Sequence, residues 1–186
     1  WLGLEGFSAW ASVSITLHNW LGPLFVVGVL LMVLVWFKNN LPRSYDWQWF
    51  KQGGGFFGGG HAPAGKANAG EKLFVFWIGL VLCGIIVSVS GIVLDFPIWG
   101  QTREDMQFAQ VMHSSFGMIW TAIILGHIYL GSLGVEGAFE GMVSGRVSVE
   151  FAEEHHSEWY KEVQHEAADT SSDDAAKAGR TQTSPG

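Results

Sequence analysis

The chain has 186 residues, of which 48% are apolar and only 15% charged, and its mean hydropathy is positive at +0.23. Soluble domains carry roughly 25% charged residues, so an ordinary soluble domain is excluded. A net charge of −7, from 17 acidic and 10 basic side chains, argues against a nucleic-acid binder. The single cysteine, Cys83, excludes an internal disulfide framework, a cysteine-based zinc site and a C-x-x-C-H haem attachment. The chain opens on Trp1 rather than Met, as expected of a processed or truncated polypeptide.

No Asp, Glu, Lys or Arg occurs between Gly6 and Phe37, between Leu73 and Leu94, or between Phe108 and Val135. Each gap exceeds the roughly 20 residues that a helix needs to cross about 30 Å of hydrocarbon. Three transmembrane helices are therefore expected, near Val13–Phe37, Leu73–Leu94 and Phe108–Leu133, in an all-α membrane bundle covering residues 1–135. Helices of a soluble bundle would each carry a polar stripe, and these do not. Trp10, Trp20, Trp36, Trp77 and Trp99 fall at or near the expected span ends, where an indole sits among headgroups; Trp120 falls mid-span, as a packing residue. The first loop, residues 38–72, holds Lys38, Arg43, Lys51, Lys66 and Lys72, whereas the second holds only Arg103. The positive-inside rule places that loop and the C-terminal tail in the cytoplasm.

The first loop contains a glycine run, Gly53–Gly60, that leads into His61 and Lys66. Gly60 to Lys66 matches the start of a phosphate-binding loop, but Ala67 stands where Ser or Thr would meet a metal and no strand precedes it. The run is better suited to hugging the membrane surface or a neighbouring subunit. Residues 136–166 are acidic and amphipathic, fit for a short cytoplasmic surface helix or two. Residues 167–186, rich in Ala, Ser, Thr and Asp, bury too little apolar surface to offset ordering entropy and are expected to be disordered.

Ionisable residues inside membrane spans are costly and point to function. Three are present: His18, His113 and His127. His113 and His127 are fourteen residues apart on one helix, within about 40° of the same face and separated by about 21 Å along the axis. That spacing suits two cofactors stacked through a bilayer and is too long for one shared metal ion. With helices one and three running the same way, His18 and His113 share a depth on different helices. Two imidazoles facing across a bundle are the axial ligands that a b-type haem needs. Glycine follows each histidine four residues later, at Gly22, Gly117 and Gly131, on the same face, which leaves clearance for a macrocycle. Zinc would need further ligands at the same depth. His61, His155, His156 and His165 read as solvated structural residues. His127 has no partner in this chain, so the second ligand of an inner haem would come from a span before Trp1.

The residues at this point resemble the cytochrome b (gamma) subunit of membrane-bound respiratory formate dehydrogenases. The resemblance runs from about Leu17 to Tyr160. It rests on His18 at a helix start, on Ala64-Gly65-Lys66-Ala67-Asn68-Ala69-Gly70-Glu71-Lys72, on Val111-Met112-His113 and on Gly126-His127-Ile128-Tyr129. It continues in Gly141-Met142-Val143-Ser144-Gly145-Arg146-Val147 and in Glu154-His155-His156-Ser157-Glu158-Trp159-Tyr160. That family has four membrane helices and two b haems. The resemblance implies that His18 and His113 bind the outer haem and His127 the inner one, whose second histidine lies on a helix this chain lacks. It implies quinone reduction beside the inner haem at positions matching Asn68 and Gly70. It also implies an iron–sulfur (beta) subunit and a molybdenum- or tungsten-containing catalytic (alpha) subunit as partners, in a bacterial inner membrane. Electrons would pass from the iron–sulfur partner through the haems to quinone, with formate oxidised on another subunit. Asn68 has both a donor and an acceptor for a quinone carbonyl and is equally suited to cap the helix that follows; the two roles are compatible. The alternatives are the equivalent subunit of a hydrogenase or thiosulfate reductase, and a haem-free anchor using its histidines as proton relays.

Overall fold

The computed structural model describes residues 3–55 and 62–182, with side chains to residue 173. Among these residues every regular element is helical. The first helix, α1, spans Gly3–Trp36, begins well before the expected Val13, and carries Pro23 in its interior. Proline removes one backbone donor, a defect that membrane helices tolerate when neighbours satisfy the freed carbonyl. A short α2 follows at Asp46–Lys51. Helix α3 spans Glu71–Asp95. It is wound as a π-helix through Cys83 and as an α-helix from Gly84. Helix α4 spans Arg103–Gly134. It starts at a capping box in which the Asp105 N–H donates to Thr102 Oγ1 and the Thr102 N–H donates to Asp105 Oδ2, satisfying two of the donors a helix start leaves open. Three short-loop steps then give α5 at Ala138–Ser144, α6 at Val149–His155 and α7 at Ser157–Gln182.

Helices α1, α3 and α4 are each long and apolar enough to cross a membrane, as the charge gaps require. The tail departs from expectation: α7 continues through residues 167–182, where no structure was expected, and only residues 183–186 of that stretch lie outside the described residues. The disorder argument counted buried apolar surface. A helix already begun at Ser157 extends instead on local backbone bonds and on the propensity of alanines such as Ala167 and Ala168. Local pairs assist it, among them His165 Nδ1 with Asp169 Oδ2 at 3.0 Å and the Thr170 hydroxyl donating to the Glu166 carbonyl. His61 and most of the glycine run, 56–60, lie outside the described residues.

The chain forms two compact units, Trp1–Leu41 with Lys72–Leu130, and Pro42–Glu71 with Gly131–Gly186. In the first, α3 packs against both α4 and α1. Its core joins Val29 of α1, Phe76, Leu80 and Cys83 of α3, and Trp120 of α4, so Trp120 is the packing residue its mid-span position implied. Gly84 lets the three helices close up: a Cβ there would stand 3.1 Å from Val29 Cγ1 and 3.6 Å from the Trp120 ring. A third of the most apolar window of α3 is buried, against 6% for α1 and α4. The outer flanks of those two helices carry exposed Leu24, Leu34, Met118 and Leu125, surfaces suited to lipid.

The second unit has a core of small residues, with Ala62, Ala64, Ala69 and Ala152 all buried. Two bonds tie residues 64–65 to the junction of α6 and α7. The Glu158 N–H donates to the Ala64 carbonyl at 2.9 Å, and His156 Nδ1 donates to the Gly65 carbonyl at 2.8 Å.

Candidate functional site

His18 of α1 and His113 of α4 come together in the first unit, their ring centroids 5.9 Å apart and their planes crossed at 84°. A metal–imidazole bond is about 2 Å, so two such bonds plus the distances from nitrogen to ring centre come to about 6 Å for an iron held between two histidines. The observed spacing matches that demand. Among the described residues no group of three His, Cys, Asp or Glu could hold a metal ion; the pair by itself would suit a cofactor that supplies the remaining ligands.

The His113 ring is fixed from behind. Its Nδ1 lies 3.0 Å from the Val87 carbonyl and 3.3 Å from Ser90 Oγ. A carbonyl only accepts, so Nδ1 carries the proton and Nε2 keeps its lone pair. The buried Ser90 hydroxyl donates to the Ile86 carbonyl at 2.6 Å and receives a share of the same N–H. Histidine ligands are commonly oriented by such a bond from the second ring nitrogen. Gly91 completes the arrangement, because a Cβ there would lie 3.0 Å from His113 Cε1 and 3.3 Å from Nδ1. Ser90 and Gly91 went unassigned in the sequence, where the only sign was a polar Ser-Gly pair inside an apolar span.

A cavity of about 690 Å³ opens beside the two histidines, walled by Phe25, Trp120, Gly117 and Thr121. That lies within the range of cofactor sites. A Cβ at Gly117 or Gly22 would meet open space, whereas one at Gly131 would touch Met142 at 3.5 Å. His127 is exposed on α4.

In the second unit, Asn68 and Glu71 form a reciprocal cap. The Glu71 N–H donates to Asn68 Oδ1 and the Asn68 N–H donates to Glu71 Oε2, both at 2.9 Å. With Oδ1 so engaged, the amide NH₂ is the part of Asn68 available for other partners. Gly70 sits under Trp49, whose ring would be 2.7 Å from an added Cβ. Nearby in the sequence, burial pushes the Tyr45 hydroxyl above its usual range, with Asp46 adding to the shift and Arg43 opposing it. His156, expected as a solvated tail residue, is instead half-buried and holds the Gly65 carbonyl.

A family model described as prokaryotic cytochrome b561 matches residues 1–145. The chain belongs to that family. Its relatives include the cytochrome b556(Fdn) subunit of the nitrate-inducible formate dehydrogenase of Escherichia coli K12, 28% identical over 153 residues, covering 80% of this chain and 69% of that protein. The formate dehydrogenase cytochrome b556 subunit of Haemophilus influenzae is 30% identical over 162 residues, covering 81% and 64%. The cytochrome b556(fdo) subunit of Escherichia coli K12 is 28% identical over 150 residues, covering 79% and 70%. As a cytochrome b561 the protein is an integral membrane electron carrier, and haem b is the cofactor its family implies. The spacing of His18 and His113, the free Nε2 of His113 and the adjoining cavity fit that group.

Proposed function

We propose that this cytochrome b561 is the membrane subunit of a formate dehydrogenase, serving electron transfer from an iron–sulfur subunit to membrane quinone while a molybdenum- or tungsten-containing subunit oxidises formate. The facing imidazoles of His18 and His113, 5.9 Å apart, carry the cytochrome part of this reading. The names of the relatives support the choice of formate dehydrogenase. His18 and His113 would hold one haem b through Nε2 of His113 and a nitrogen of His18. Haem b supplies reversible one-electron chemistry at a potential set by its ligands and their surroundings. The protein's part is to fix the ligands: Val87 and Ser90 hold the His113 tautomer, while Phe25 and Trp120 keep the cavity apolar. His127 would hold a second haem with a histidine from outside this chain. Gly22, Gly117 and Gly131 lie one turn beyond the three histidines, and the first two leave open space.

The quinone reading places Asn68 and Gly70 at the substrate. The amide NH₂ of Asn68 would donate to a quinone carbonyl, with Oδ1 held by its cap to Glu71. For a protein of the bacterial inner membrane, five Lys and Arg in residues 38–72 against Arg103 alone at the start of α4 support placing that loop and the C-terminal tail in the cytoplasm.

Two measurements test the proposal. A reduced-minus-oxidised visible spectrum of the purified complex should show a b-type band, and His113→Ala should remove about half of the haem if two are bound. Full haem content in that variant would overturn the ligand assignment. Formate-oxidising activity should co-purify with the chain; co-purification with a hydrogenase or thiosulfate reductase instead would keep the cytochrome and reject the formate partner.

A further inference from the structure

The second unit contains a cavity of about 460 Å³ lined by none of the residues assigned to haem or quinone. Lys66 from the first loop meets residues about eighty positions later around it: Arg146 and Val147 after α5, and His156 and Trp159 on either side of the start of α7. We propose that this cavity binds a phosphate group, either that of an anionic phospholipid headgroup or free phosphate.

The chain has 17 acidic side chains against 10 basic ones, yet no carboxylate lines this cavity, and two of the cations do. Among the described residues, the ion pairs Lys161–Glu158 and His165–Asp169 involve neither Lys66 nor Arg146. Both cations stand on braced backbone. Residues 64 and 65 are pinned by Glu158 and His156, which fixes the base of Lys66. The Arg146 N–H donates to Ser144 Oγ at 3.1 Å, and that hydroxyl donates to the Glu140 carbonyl. Gly145 precedes Arg146 with φ at +70°, a turn that glycine makes without strain.

Guanidinium offers a planar fork to phosphate oxygens and ammonium a point charge. His156 spends Nδ1–H on the Gly65 carbonyl, so in its neutral form it offers the cavity only an acceptor, and recognition of an anion rests on Lys66 and Arg146. Trp159, Phe151 and Val147 add an apolar wall beside the charges, the combination a glycerophosphate presents in reverse. The lipid source is favoured by topology, since three crossings leave residues 42–71 and everything after α4 on one side of the membrane.

The experiment is calorimetric titration of the full chain in an uncharged detergent with three probes: short-chain phosphatidic acid, short-chain phosphatidylcholine and inorganic phosphate. Phosphatidic acid should bind, and Lys66→Gln and Arg146→Gln should each weaken it about tenfold, the scale of one charge-assisted hydrogen bond. Both side chains are exposed, so neither change threatens folding. Lys51→Gln, on α2 outside the cavity, should leave binding unaltered. Tight binding of inorganic phosphate would identify free phosphate as the source, and binding of phosphatidic acid alone would identify the headgroup. Failure of both anionic probes, equal binding of phosphatidylcholine, or full binding in the Lys66 and Arg146 variants would overturn the proposal. Haem content plays no part in the readout, so the result stands apart from the cytochrome assignment.

Discussion

His113 is presented to the cavity by a carbonyl, a hydroxyl and a missing side chain. Gly91→Ala would push a methyl group to 3.0 Å from His113 Cε1, tighter than nearly all side-chain contacts, so the ring must give by a few tenths of an ångström. Overpacking of this kind costs about 1–3 kcal/mol. The expected outcome is haem lost on purification or a displaced b-type band in the spectrum. Ser90→Ala should be milder, because the Val87 carbonyl at 3.0 Å still holds the Nδ1 proton, and haem titration should show a smaller loss than for Gly91→Ala. The histidines themselves were legible as ionisable groups in hydrocarbon. Their supports were not, because nothing in a linear sequence says that Ser90 and Gly91 face residue 113.

At the scale of the helix, the cap that Asn68 makes with Glu71 and the quinone contact proposed for it are separable. Asn68→Asp keeps the oxygen that caps Glu71 but removes the NH₂ donor, whereas Asn68→Ala removes both. The alanine variant should lose about 1 kcal/mol of stability from the cap, and both variants should raise the KM for quinone. A thermal melt alongside quinone-reduction kinetics distinguishes them; unchanged KM in both would reject the quinone role. Trp120 belongs to the same scale. Packed at 7% exposure between Val29 and the α3 core, it should cost about 3–5 kcal/mol when replaced by alanine, read as a fall in the thermal transition. Charge gaps located all three spans, because water and hydrocarbon impose that pattern directly. The ends were less legible: α1 takes in Glu5 and starts at Gly3, and helices continue into polar territory wherever local backbone bonds permit. The tail helix past Ala167 escaped for the same reason, since composition measures burial and not local propagation.

Across the molecule as a whole, the membrane-spanning unit was the readable half. The other unit combines short helices, the longer α7 and an irregular stretch whose contacts join residues about ninety apart, as His156 and Gly65 do. Such pairings carry no periodic signal. His156→Ala removes a half-buried donor and leaves the Gly65 carbonyl unmatched, a loss of about 1–3 kcal/mol. Hydrogen exchange should then quicken at the Glu158 amide, which bonds the neighbouring Ala64 carbonyl, while haem content should stay the same. Exchange unchanged at that amide would show that the unit does not depend on this tie.

The two imidazoles are not equals. His113 is half-buried and anchored through Nδ1, while His18 sits on an exposed stretch of α1, facing its counterpart ring-to-ring. Were a haem held between them, His113 would enter as the ligand with its ring already set, and His18 as the one left to adjust its angle.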